Sequence, residues 1–251
     1  MNEKRTDSEI QKIVECCKIV AEVLDTMGEM IRPGISTLEL DSKAEEIISR
    51  NNASPAFKGY SIPGLPPFPA AICASVNSCI VHGIPREDVV LKEGDIIGID
   101  VGVGKHGFFG DAARTYAVGK ISSKAKSLME TTKNSLMKGI EQAVAGGTVG
   151  NISHAIGSYV TNKGFFVADR LTGHGVGRNL HEDPIIPNIG VRGQGKRLRE
   201  GMTLAIEPMV NIGTNRVNEI GWEFYVADNS LSAHFEHTIL ITDNEPLILT
   251  K

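Results

Sequence analysis

Residues 94–119 read GDIIGIDVGVGKHGFFGDAARTYAVG, and their folding decides how the rest of the chain is arranged. Asp95–Val103 is rich in Ile, Val and Gly, and Phe108–Val118 reads as a return strand. Gly104-Lys105-His106-Gly107 supplies turn chemistry between them, so the stretch is expected to be a β-hairpin. A four-residue loop sets Val103 against Phe108 and Asp100 against Asp111. Like charges facing each other across strands destabilise the pair. Three readings account for two such carboxylates: a proton shared as in an acid dyad, a metal ion held between them, or a bulge that turns one of them to water.

The chain has 251 residues, of which 41% are hydrophobic, enough for one large domain or two small ones with a substantial core. A net charge of -4 gives no basic footprint, so no specific nucleic-acid partner is expected. Cys16 and Cys17 are neighbours in a helical pattern, and with Cys73 and Cys79 they form no C-x-x-C pair. That composition suits a reducing compartment. The first residues, MNEKRTDSEI, hold no apolar run of the kind that directs secretion, and no stretch approaches the roughly 18 apolar residues of a membrane span. A cytoplasmic protein without a membrane partner is the expectation.

Upstream of the hairpin, Thr6–Met27 repeats apolar residues at helical spacing and carries two possible capping boxes, Thr6-x-x-Glu9 and Ser8-x-x-Gln11. A second helix begins at Ser36-x-x-Glu39 and runs to about Arg50. Residues 54–71, SPAFKGYSIPGLPPFPAA, hold five of the eleven prolines with Phe57, Tyr60 and Phe68, which predicts a rigid apolar loop covering something. Ile72–Ile80 reads as one strand leading to His82. Downstream the order begins again: a long helix over Ser123–Ala145, a shorter one over Asn151–Thr161, then strands at Phe165–Asp169, Met202–Ile206, Trp222–Val226 and Leu231–Ile241. The repeated order predicts an α+β fold made of two similar halves, about 6–119 and 122–251, with a site at their junction.

Four further positions bear chemistry. Leu171–Pro184, LTGHGVGRNLHEDP, sets His174 and His181 among glycines without matching a nucleotide-binding template. Glu207 ends an apolar strand, and Glu236 precedes another. A carboxylate in a buried strand is costly unless paired or ligated. Asp100, Asp111, His174, Glu207 and Glu236 together form an oxygen-rich set suited to Mn, Fe(II), Co or Zn, and two divalent cations balance its four negative charges. An aspartic dyad at Asp100 and Asp111 would leave the other three unexplained.

In order, the chain carries His-Gly-Ile-Pro at His82, I-D-V-G at Asp100, G-D-A-A at Asp111, G-H-G-V-G-R at His174, I-E-P at Glu207 and S-A-H-F-E-H-T at Glu236. This ordered set closely resembles type I methionine aminopeptidase over nearly the whole chain. The resemblance implies the pita-bread fold, with pseudo-twofold halves, antiparallel sheet and helices on the outer face. It implies removal of the initiator methionine from nascent peptide N-termini whose second residue is small, through a metal-bridging hydroxide that attacks the scissile carbonyl. Asp100 would chelate one metal, Asp111 and Glu236 would bridge two, and His174 and Glu207 would complete the second. Glu207 would also accept the proton of the nucleophilic water. His181 would hydrogen-bond the scissile carbonyl or its amide, and His82 would sit near the scissile nitrogen.

Phe57, Tyr60, Cys73 and Trp222 fall at positions similar to the family's methionine pocket, with Leu180 where an aromatic is common. A second pocket tyrosine has no counterpart; Phe68 or Ile62 is the substitute. Asn77 and Ser232 match a monovalent-cation site for Na or K. No zinc-finger or proline-rich arm precedes the domain, so any ribosome contact would use the catalytic domain itself. Prolidases and other enzymes of the same fold usually carry an extra N-terminal domain, for which the approach to the hairpin leaves no room. A non-catalytic relative would have lost ligands that this chain keeps.

Overall fold

The computed structural model describes residues 4–251. Helix α1 (Asp7–Met30) starts from Thr6, whose hydroxyl accepts from Glu9 N while Glu9 accepts from Thr6 N, a closed capping box. Of the two boxes legible in the sequence this one forms, and Ser8 lies inside the helix. Helix α2 (Thr37–Arg50) is capped the same way by Ser36 and Glu39. Their apolar faces, including Val20, Leu24, Leu40 and Ile47, bury against Ile97, Ile99 and Val101 of the hairpin and form the core of the first half.

Strand β1 (Ser54–Pro55) is short, and β2 (Cys73–Val76) and β3 (Cys79–Val81) divide what the sequence presents as one strand. The break is at Asn77, in the left-handed region at φ +54. Its side chain fixes the corner by donating to Asp95 Oδ1 at 2.8 Å and accepting from Ile96 N at 3.1 Å. β4 (Ile96–Lys105) and β5 (Phe108–Ala117) are the expected hairpin, with a different register. The turn is His106-Gly107 alone, both at positive φ (+54 and +75), the two-residue geometry that follows strand twist. Asp111 therefore faces Gly102, and Asp100 faces Ala113. The two aspartates are diagonal neighbours on one face, two residues out of direct opposition. β2 and β1 pair in turn with Ile97–Asp100 and with Val103-Gly104 of β4, and β5 pairs along the whole of its other edge.

The second half repeats two helices, α3 (Ser123–Ile140) and α4 (Val149–Asn162). α3 stops five residues before Ala145, because Gly139 in its last turn and Gly146-Gly147 beyond it weaken helix propagation. Ten strands follow: β6 (Phe166–Val167), β7 (Thr172–Gly175), β8 (Glu182–Pro187), β9 (Thr203–Ile206), β10 (Met209–Asn211), β11 (Val217–Ile220), β12 (Glu223–Val226), β13 (Ser232–His234), β14 (His237–Leu240) and β15 (Leu247–Ile248). They form sheets in the orders β15-β14-β9-β7-β8, β13-β10-β6 and β11-β12-β3. Leu136, Ile152 and Ile156 pack on Leu204, Ile206 and Ile239 as the second core.

The segment expected as one strand over Leu231–Ile241 breaks at Phe235-Glu236. Its partner breaks at the matching place, Glu207-Pro208, so that β13 pairs β10 and β14 pairs β9 on either side of the gap. Pro208 has no N–H to give a ladder. Glu236 N is released to donate to Ala113 O of β5 at 2.8 Å. Thr115 Oγ1 donates to His234 O and accepts from His234 N, and Thr238 Oγ1 does the same for Asp111 O and N. These bonds stitch the first-half hairpin to the second-half strands. Among the described residues no helix is long and apolar enough to cross a membrane.

Candidate metal centre and substrate cavity

The stitching brings the two halves' carboxylates together. Asp100 and Asp111 project from the hairpin, and Glu207 and Glu236 from the facing gaps in the second-half strands. With His174 of β7 they line one cavity of about 260 Å³. Asp111 and Glu236 are 3% and 2% exposed, so their charges have almost no water. Burial pushes the Asp100 carboxyl up to about 7, with the neighbouring Glu207 adding to the effect. Burial raises Asp111, Glu207 and Glu236 well above the carboxylate range as well, and their mutual repulsion adds to it for Asp111 and Glu236. Asp100 Oδ1, Asp111 Oδ1 and Glu236 Oε1 are buried and have no hydrogen-bond partner among the described residues.

His174 decides what these oxygens want. Its Nδ1 lies 2.9 Å from the Gly175 carbonyl, an acceptor, so Nδ1 carries the hydrogen. Burial holds the ring's pKa down at about 3, so the ring is neutral. Its Nε2 lone pair then faces Glu207 Oε1 at 3.5 Å and Asp111 Oδ2 at 3.9 Å. Lone pair against carboxylate repels unless a proton or a metal cation lies between them. Asp111, His174 and Glu236 form one group whose ligand atoms all lie within 4.8 Å, and Glu207, His234 and Glu236 form another. Both groups fit a divalent ion bound through oxygen and imidazole.

His82 and His181 stand over this floor. His82 has φ +58, a left-handed conformation costly for a side chain with a Cβ. The chain after it is pinned to β2, with Gly83 O accepting from Ala74 N at 2.8 Å and Gly83 N donating to Ser75 Oγ at 3.1 Å, and a Cβ at Gly83 would collide with the Ala74 carbonyl. His82 Nδ1 is buried without a partner among the described residues, and burial lowers the ring's pKa to about 4. His181 lies at the mouth with its ring centroid 4.4 Å from that of His174, and its Nδ1 is 3.0 Å from the Tyr60 hydroxyl.

The wall of the cavity is the proline-rich loop. Phe57, Tyr60 and Phe68 line it with Cys73, Leu180 and Trp222. Phe68 N donates to Tyr60 O at 2.8 Å, and Gly59 N donates to Phe68 O at 2.8 Å, which closes the loop on itself. Asp41 of α2 accepts from Ala71 N and Ile72 N and so anchors its far end. Phe57 lies against Gly102 of β4, where a Cβ would strike its ring. Of the two substitutes considered for the missing tyrosine, Phe68 is buried and meets Trp222 edge-on at 5.5 Å, whereas Ile62 is 39% exposed. Asn77 and Ser232 lie away from this cavity, joined by Ser232 N donating to Asn77 O at 2.9 Å.

The sequence reading did not assign His234 to the site. Its imidazole is 3% exposed, with Nε2 3.3 Å from Glu207 Oε2 and 4.0 Å from Glu236 Oε2. The available signal was its place two residues before Glu236 in an apolar strand. Asn188, whose amide donates to the Glu207 carbonyl at 3.0 Å, left no signal at all.

Comparison with known proteins agrees with this geometry. The methionine aminopeptidase of Clostridium acetobutylicum is 46% identical over 248 residues, 98% of this chain and 97% of that one. The structure of the Thermotoga maritima methionine aminopeptidase superposes with a TM-score of 0.96 at 45% identity, with both chains covered in full. The prolidase of Pyrococcus furiosus gives a TM-score of 0.80 at 25% identity, and there this chain spans 65% of the longer protein. The fold is thus the α+β pita-bread fold with antiparallel sheets. The profile of metallopeptidase family M24 matches residues 11–243, and the chain belongs to that family, among its methionine aminopeptidases.

Proposed function

We propose that this chain removes the initiator methionine from peptide N-termini with a small second residue, using two divalent ions held by Asp100, Asp111, His174, Glu207 and Glu236. The observation that carries the reading is the floor: four buried carboxylates and a neutral imidazole whose lone pair faces them. Mn, Fe(II), Co and Zn all suit that donor set. When bound, the ions supply Lewis acidity, which acidifies water and polarises a carbonyl.

The chain's own residues do the rest. Glu207 accepts a proton from the attacking water and passes it to the leaving amine. His181 donates from Nε2 to the scissile carbonyl as negative charge develops there. That requires Nδ1 to be the acceptor, which the Tyr60 hydroxyl satisfies by donating to it. His82, neutral at pH 7, stands by the scissile nitrogen. The aromatic wall takes the unbranched methionine side chain and excludes water around it. A monovalent ion, Na or K, at Asn77 and Ser232 belongs to the same reading.

Purified protein stripped with chelator and reloaded is expected to release free methionine from Met-Ala-Ser peptides with Mn, Co or Fe(II), the last under anaerobic conditions. It is expected to release none in chelator. Absence of turnover with every ion would reject the assignment.

A further inference from the structure

The five expected ligands leave one buried imidazole at the floor without a task. His234 Nε2 has no hydrogen-bond partner among the described residues, although Glu207 Oε2 is only 3.3 Å away. The separation is short, yet no N–H···O bond forms across it. A buried donor or acceptor left in this state is costly. The ring is 3% exposed, so no rotation takes it to water, and its backbone is fixed on both sides. His234 N donates to Thr115 Oγ1 at 2.9 Å, His234 O accepts from the same hydroxyl at 2.8 Å, and the residue pairs with Met209 in the β10–β13 ladder.

The distances describe a vertex that three donors share. Two donors bound to one ion at about 2.1 Å each lie roughly 3.0 Å apart at a right angle and roughly 4.2 Å apart when opposed. His234 Nε2 lies 3.3 Å from Glu207 Oε2 and 4.0 Å from Glu236 Oε2, both inside that range. His174 meets the other oxygen of Glu207, Oε1, at 3.5 Å. One imidazole therefore stands at each oxygen of Glu207.

We propose that His234 Nε2 is a direct ligand of the ion held between Glu207 and Glu236, so that the centre carries two imidazoles, His174 and His234. This rests on the metal-dependent reading above. The added nitrogen has a chemical consequence. Imidazole favours Zn, Co and Fe, whereas an all-oxygen neighbourhood favours Mn. His234 thus tilts this chain's centre away from Mn.

The test compares wild type with His234→Gln, each loaded with Zn(II), Co(II) or Mn(II). Imidazoles are counted by X-ray absorption on the Zn form, and affinities are taken by calorimetry. Two imidazoles per two ions are expected in wild type and one in H234Q. Zn(II) and Co(II) affinity should fall at least about tenfold in the variant, with a distinctly smaller change for Mn(II). A wild-type count of one overturns the proposal even if H234Q fails to fold. So does an equal loss for all three ions with an unchanged count, which is the signature of a merely structural histidine. Wild type that binds none of the ions would instead reject the metal-dependent function itself.

Discussion

Asp111 and Trp222 face the same cavity and are held there by different means. Asp111 sits mid-strand, paired with Gly102, with its backbone N–H and carbonyl both tied to Thr238 across the junction of the halves. Trp222 sits in the turn between β11 and β12, fixed by its indole N–H to the Pro66 carbonyl at 2.8 Å and by edge contact with Phe68. The floor is held by backbone ladders and the wall by side chains leaning on a loop. Buried carboxylates must be preorganised before their cation arrives, since each costs free energy while unpaired. An apolar wall meets no such penalty and can adapt to what enters. The floor is therefore expected to govern metal and the wall to govern peptide, with little crossover.

The largest effect should come from the floor. Glu236→Gln removes an oxygen anion shared by both candidate ligand groups. Metal affinity and turnover are expected to fall by at least about a hundredfold, the upper end of what outer-shell partners alone cause. Stability should move the other way. The buried carboxylates hold their protons above the ordinary range, so without metal the native state binds more protons than the unfolded chain. Its stability then falls as pH rises from about 4 through the folded values. The buried histidines oppose this up to about pH 6.5, because His82 and His174 are held near 4 and 3 and the unfolded chain protonates first. Between about pH 7 and 8 they are neutral in both states and the carboxylates set the slope; above that the buried thiols of Cys16, Cys17, Cys73 and Cys79, raised by burial, add to the fall. In chelator the melting temperature should drop from pH 7 to 8, across the Asp100 value of about 7, saturating metal should abolish the drop, and Glu236→Gln should flatten it. A variant that keeps wild-type metal affinity, or a chelated wild type with no such slope, would break the account of the floor.

The same contrast governs what could be read from the sequence. Asp100, Asp111, Glu207 and Glu236 stood out because a charge inside an apolar strand demands a reason, and that anomaly survives errors of local geometry. The register set Asp100 against Asp111, although the two-residue turn makes them diagonal. The same-face conclusion held because side chains alternate with period 2. His234 escaped because a histidine in a strand has an ordinary explanation as a core residue. The strand end at Ile206 was legible, whereas the breaks at Asn77 and Phe235 escaped because they depend on pairing between distant segments. The proline-rich loop was legible as a rigid cover. Which of its side chains turned inward was not, since Phe68 and Ile62 differ only in contacts with Trp222 and the sheet.

Trp222→Leu tests the wall. Shortening the side chain opens space opposite Phe68 and Tyr60 and removes the bond to Pro66. A pocket that loses shape around an apolar side chain forfeits about 1–3 kcal/mol, so kcat/KM for a methionyl peptide should fall roughly 10- to 200-fold. The loss should appear mainly in KM, with metal affinity at the wild-type value. A fall in metal affinity would show the wall and the floor to be coupled.

Tyr60 is where that separation is most exposed, because its ring belongs to the wall while its hydroxyl reaches His181. If the hydroxyl donates to Nδ1, it holds the proton of the neutral imidazole on Nε2, toward the peptide carbonyl. Tyr60→Phe keeps the ring and its edge contacts and removes only that bond. The two tautomers then compete, and a part of the enzyme presents an acceptor where the transition state needs a donor. A neutral hydrogen bond is worth about 0.5–1.5 kcal/mol, so kcat should fall by roughly 2- to 13-fold. KM and metal affinity should stay near wild type. If KM rises and kcat does not change, Tyr60 acts through its ring alone and the wall does not reach the chemistry; a fall in kcat at constant KM makes this hydroxyl the one point where the wall acts on the bond being broken.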